Sequence, residues 1–117
     1  MSISRKYFDK TARGEEVTQY TLTNHKGASV SVIDFGGIVT SIVVPDRDGK
    51  LADVNLGFDV VDTYDGKGGC MGALIGRVGN RIGGAAFDLE GRHYTLGKND
   101  GENNLHGGPE GFSQRMW

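Results

Sequence analysis

One cysteine, two prolines and one tryptophan in 117 residues leave several classes of protein out of reach. Cys70 has no partner within the chain, so no internal disulfide and no thiolate metal cluster can form. That scarcity favours a reducing compartment. No apolar run approaches the roughly 20 residues that a membrane helix needs. The opening stretch, Met1 to Lys10, contains no apolar core of a secretory signal, so the expected location is cytoplasmic, with no membrane partner. Charge of one sign is scarce too. Thirteen Lys and Arg face 15 Asp and Glu, for a net charge of -2. Without a basic field, nucleic acid and anionic membranes are not expected partners, and a neutral small molecule suits the balance better.

Glycine is plentiful. It fills 20 of 117 positions, more than double the usual share of about 7%. With no three-residue period and little proline, a collagen-like chain is excluded. Each glycine inside a helix would cost about 1 kcal/mol, and the glycines fall between short apolar runs. The expected class is all-β, with antiparallel strands joined by many turns and packed as a β-sandwich. Hydrophobic residues at 37% and charged residues at 24% are compatible with a folded core in a single unit spanning 1–117.

The alternation of side chains places strands over Val17 to Thr23, Ala28 to Ile33, Ile38 to Val44 and Leu51 to Leu56. Val30 and Val32 face one way and the serines mostly the other. The apolar Ile38 to Val44 run suggests cover on both faces. Asn24 to Gly27 and Pro45 to Gly49 read as turns. Asp59 to Gly69 reads as a single helical turn or a long loop, and Ala73 to Ile75 as a short buried strand. Phe87 to Leu96 is a hairpin about Glu90-Gly91. A polar Gly- and Asn-rich loop follows, to Gly111. In all, six to eight strands are expected, with no long helix and no internal repeat.

Two clusters can carry chemistry. Gly76-Arg77-Val78-Gly79-Asn80-Arg81-Ile82 sets two arginines and an asparagine among small residues. Such planar donors suit hydroxyl or carboxylate oxygens; the plainer alternative is a solvated loop whose arginines pair with nearby acids. Asn103-Asn104-Leu105-His106-Gly107-Gly108 offers donors and acceptors in a loop that a ligand can approach closely. Its alternative is a turn shaped by Asn and Gly, with His106 a bystander. His25 is expected in a solvated turn, His93 in cross-strand packing within the hairpin, and Cys70 as a small buried residue. Gly66-Lys67-Gly68-Gly69 lacks the spacing of a phosphate loop. No recognised metal spacing and no nucleophile elbow is present.

In order and at this separation, the two clusters resemble the aldose 1-epimerase (galactose mutarotase) family. The first is similar to that family's G-R-x-[AG]-N-R-I element, and Leu105 to Gly108 to its LHGG element. Asp34-Phe35-Gly36-Gly37, Val44-Pro45-Asp46, Gly111-Phe112 and Trp117 extend the similarity over nearly the whole chain, as the family's N-terminal third. The resemblance implies a large galactose mutarotase-like β-sandwich and interconversion of the α and β anomers of hexoses such as galactose and glucose, with no metal or organic cofactor. It also implies that Asn80, Arg81 and His106 hydrogen-bond the sugar. Ring opening needs a base at the C1 hydroxyl and an acid at the ring oxygen. In the family the acid is a second histidine and the base a glutamate, both following the LHGG element, and no position here matches either. No catalytic acid or base is therefore expected in this chain, and a hexose-binding or truncated fragment is the alternative. Uncovered edges and faces would then favour self-association or a complementing C-terminal chain.

Overall fold

The computed structural model describes residues 1–65 and 69–117. Five antiparallel strands form one meander, in the order β1 (Ser2–Lys10), β2 (Glu16–Thr23), β3 (Ser29–Ile33), β4 (Ile38–Pro45) and β5 (Leu51–Asp53). Two small ladders follow. In one, β6 (Arg81–Ile82) pairs with β9 (Asn104–Leu105); in the other, β7 (Ala86–Leu89) pairs with β8 (Arg92–Thr95). Every pairing is antiparallel. The all-β expectation holds, with more strands than the alternation alone revealed.

The turns follow from their residues. Asn24 Oδ1 accepts the amides of Lys26 at 2.8 Å and Ala28 at 3.1 Å, and so closes the β2–β3 turn. Asp46 Oδ1 does the same for Asp48 and Lys50, both at 2.9 Å, between β4 and β5. In the hairpin, Glu90 and Gly91 both take positive φ, 50° and 76°, as a two-residue loop that follows the strand twist requires. Phe87 and Tyr94 pair across it and stack with ring centroids 5.1 Å apart.

The core is small and lies at one end of the sheet. Val17, Ile33, Phe35 and Ile38 are buried against Val61 and Tyr64 of a one-turn helix, α1 (Val61–Tyr64), with Phe8, Phe58 and Ala73 at its border. Each fully buried side chain of this kind contributes about 1.5–3 kcal/mol. Tyr64 is held further by its hydroxyl, which accepts the Phe58 amide at 2.6 Å. Asp9 of β1 accepts the Val61 amide at 2.9 Å and ties the edge strand to the helix start. The helix resolves one of the two readings of the 59–69 stretch. The Gly66-Lys67-Gly68 part of the rejected phosphate loop lies outside the described residues.

The opposite face of the sheet is apolar, and no other element among the described residues covers it. Register places Ile3, Leu22, Val30 and Ile42 in one row across four strands, beside Tyr20, Val32 and Val39. Ile3 is 64% exposed, and the other aliphatic members of these rows are only half-buried. Ser31 and Gln19, on the core-facing side, are the buried residues instead. The accessible surface of 7928 Å² exceeds the roughly 6,200 Å² of a compact monomer of this size. The radius of gyration, 17.4 Å, likewise exceeds about 13 Å. Ile38 to Val44 is thus not covered on both faces; within it only Ile38 is fully buried.

Three further expectations change. Ala73 to Ile75 is not a buried strand. Its backbone bonds to a corner rather than a ladder, with the Leu74 amide reaching the Gly36 carbonyl at 2.9 Å, and Leu74 is 47% exposed. Cys70 is exposed, not buried, because it lies in the turn leading into that segment. His93 does make its contact across the hairpin, but as a hydrogen bond and not as apolar packing: its Nδ1 lies 2.8 Å from Oδ1 of Asp88, the residue opposite. His25 is exposed in its turn, as expected.

The Gly36 corner brings the site segments together. Gly36 N–H donates to Arg115 C=O at 2.7 Å, and Trp117 N–H to Asp34 C=O at 2.8 Å. Phe112 and Trp117 meet edge to face, with centroids 5.1 Å apart. The chain that follows the LHGG element is thereby anchored to the sheet.

Candidate functional site

The two polar clusters, 26 residues apart between Asn80 and His106, meet in space. Arg81 and Ile82 pair with Leu105 and Asn104 in the short β6–β9 ladder. At its end, Asn80 N–H donates to His106 Nδ1 at 2.9 Å, and His106 N–H donates to Asn80 C=O at 3.0 Å. Both residues take positive φ, 60° at Asn80 and 53° at His106. Asparagine tolerates this conformation; histidine adopts it at some cost. The glycines beside them allow close approach. A Cβ on Gly107 would lie 1.7 Å from the Gly76 carbonyl oxygen, so at that position only glycine lets the two elements touch.

The geometry assigns the His106 tautomer. Nδ1 accepts a backbone N–H, so the neutral ring carries its proton on Nε2. That nitrogen is a hydrogen-bond donor, suited to a hydroxyl or ring oxygen and unsuited to removing a proton.

Arg81 is half-exposed beside them. Its Nε donates to Asp100 Oδ2 at 2.6 Å and its Nη1 to Asn80 Oδ1 at 3.2 Å. The pairing of an arginine with a nearby acid and the presentation of donors therefore coexist in one side chain. Arg77 has a different role: its guanidinium lies over the Phe112 ring, 5.7 Å from the centroid, and braces the loop.

The 97–105 loop is built largely from its own polar residues. The Asn99 side chain pairs with both backbone groups of Leu105, accepting its amide at 2.7 Å and donating to its carbonyl at 2.9 Å. Buried Asn104 donates to Gly97 C=O at 2.7 Å. Lys98 pairs with Glu102, whose carboxyl is held below its ordinary value first by that hydrogen bond and then by the ammonium charge. Asp100 and Asn99 were not singled out from the sequence. The only signal for them was their place in a Gly- and Asn-rich loop.

Asn80, Arg81 and His106 thus form a polar cluster on an open surface. A cavity of about 510 Å³ opens elsewhere, where Arg13, Glu15, Glu110 and Arg115 are among its lining residues, and it includes none of the three. Among the described residues, no group of three or more His, Cys, Asp or Glu side chains could hold a metal ion, and no helix is long and apolar enough to cross a membrane.

The scaffold is all-β and gathers an Asn, an Arg and a donor His on adjoining loops. The chain belongs to the aldose 1-epimerase family, whose model matches residues 18–117. It is 37% identical to galactose mutarotase of Bos taurus over 117 residues, all of this chain and 34% of that protein. It is 36% identical to aldose 1-epimerase of Escherichia coli K12 over 104 residues, 89% of this chain and 30% of that one. Among solved structures, a GalM/aldose epimerase homologue from C. elegans superposes with a TM-score of 0.74 at 35% identity, covering 83% of this chain and 30% of that chain. A galactose 1-epimerase from Lactobacillus acidophilus NCFM gives a TM-score of 0.78 at 22% identity, covering 99% and 33%, and speaks to the fold alone. The chain spans about a third of the length of these relatives.

Proposed function

We propose that this chain supplies the hexose-binding half of an aldose 1-epimerase site, in an isomerase that interconverts the α and β anomers of sugars such as galactose and glucose. The observation that carries the proposal is the reciprocal pairing of Asn80 with His106, which joins the two family elements and aligns Arg81 beside them. Three planar groups on one open surface, one of them a histidine with its proton on Nε2, suit the hydroxyls of a neutral sugar.

Anomer exchange needs more than binding. The C1 hydroxyl loses its proton to a base, the C1–ring-oxygen bond breaks as an acid protonates that oxygen, the C1–C2 bond rotates, and the ring recloses on the other face. With Nδ1 occupied, His106 does not serve as the base. We place the acid and the base outside these 117 residues; each contributes roughly 10²–10⁴-fold, so the 117 residues alone are expected to be nearly inactive.

Polarimetry of freshly dissolved α-D-galactose tests this, together with an NMR titration of galactose into the labelled chain. The expected result is binding that perturbs Asn80, Arg81 and His106 resonances while rotation relaxes as in buffer. Absence of binding by the folded chain would overturn the sugar-site reading. Accelerated relaxation that depends on Arg81 and His106 would overturn the need for an acid and a base from outside these residues.

A further inference from the structure

Arg81 has five N–H donors in a rigid fork. Two are engaged: Nε by Asp100 Oδ2 at 2.6 Å and one Nη1 hydrogen by Asn80 Oδ1 at 3.2 Å. Among the described residues no hydrogen bond engages Nη2. Asp100 is itself fixed. Its amide donates to Asn103 C=O at 3.2 Å and its carbonyl accepts the Asn103 amide at 3.0 Å. The neighbouring Asn99 side chain clamps the same loop to Leu105, the residue that faces Arg81 across the β6–β9 ladder. The carboxylate is therefore tied to the strand partner of the arginine it holds.

We infer that Asp100 is a positioning residue of the hexose site: by engaging Nε it fixes the Arg81 fork, so that the remaining guanidinium donors meet sugar hydroxyls in one orientation. It acts through Arg81 and does not itself touch the sugar. The inference rests on the hexose-binding reading above. An arginine that is free to sample its rotamers must be ordered when a ligand binds, whereas one already held loses less freedom. Because the pair is partly exposed, with side-chain exposures of 55% and 35%, the expected effect on affinity is modest, about two- to five-fold.

The test is an NMR titration of D-galactose into the 117-residue chain and its Asp100→Ala and Asp100→Glu variants. It follows the Arg81 Nε–H resonance alongside the dissociation constant, with thermal melts of each protein. Expected are a two- to five-fold weaker constant and a displaced Nε–H resonance in Asp100→Ala at unchanged melting temperature, and recovery of both in Asp100→Glu. Equal affinity in Asp100→Ala would overturn the inference, as would weakened binding with an unmoved Nε–H resonance. If the parent chain binds no galactose, the hexose-site reading fails and the positioning role falls with it. An Nε–H resonance that still depends on Asp100 would then mark the pair as purely structural.

Discussion

Asn80 and His106 hold each other through two backbone-directed hydrogen bonds, one into the imidazole Nδ1 at 2.9 Å and one out of the His106 amide at 3.0 Å. The histidine is thus part of the scaffold as well as of the proposed binding surface. His106→Ala removes the acceptor for the Asn80 amide and the Nε2 donor together. The expected stability loss is about 0.5–1.5 kcal/mol, with galactose affinity reduced roughly ten-fold. Urea denaturation and a galactose titration of the same preparation separate the two effects. A variant that binds as well as the parent would remove His106 from the site.

Gly107 marks where the two elements approach most closely. A methyl group there would overlap the Gly76 carbonyl at 1.7 Å, on a backbone with φ of 94°. Gly107→Ala is expected to cost about 2 kcal/mol or more and to separate the β6–β9 ladder. Amide exchange at Arg81 and Leu105 should accelerate well beyond exchange in β2 and β3. Unchanged protection of that ladder would contradict the packing described.

Acid should weaken the link between the edge strand and the helix. The Asp9 carboxyl is held below its ordinary 3.8, first by the Val61 amide and then by the Lys10 amide, with burial opposing. Because the folded-state value is the lower one, the stabilisation is fully present above the unfolded value and is lost as pH falls through the folded one. Asp53, held by Ser41 and by the amides of Asn55 and Ile42, titrates in the same sense. Melting temperature should therefore drop below about pH 4, and less steeply in Asp9→Asn, which keeps a carbonyl acceptor without the titration. Parallel curves for the two proteins would sink this account.

The bare row of Ile3, Leu22, Val30 and Ile42 should make the isolated chain associate. Light scattering is expected to report species above monomer mass that grow with concentration, and Leu22→Lys with Val30→Lys should return the chain to monomer. A strictly monomeric parent chain at high concentration would show that this face tolerates water.

Legibility in the sequence tracked local pattern rather than burial. β2, β3 and the hairpin were readable because apolar and polar side chains alternate there, although the hairpin strands are largely exposed, and β4 because Ile38 to Val44 is a nearly continuous apolar run. β1 was not, since Arg5, Lys6, Asp9 and Lys10 blur the alternation of an edge strand that is exposed over most of its length. Ala73 to Ile75 looked like a strand because apolar residues flanked by glycine match one locally; the corner it serves is a tertiary feature. The meeting of Asn80, Arg81 and His106 was anticipated only through the family resemblance. Asp100 escaped notice because its tie to Arg81 spans 19 residues and follows no strand or helix period.

The irregularity between Ser31 and Val32, opposite the 39–41 segment, carries a last consequence. There Thr40 is the extra residue, and its hydroxyl accepts the Gln19 side-chain amide at 2.7 Å. Ile38, Val39, Ser41 and Ile42 keep strict inside-outside phase around it. Thr40 is therefore a spare beat in the strand. Its deletion would turn over no other side chain; it would straighten β4 and leave Gln19, buried beside it, without the bond that satisfies it.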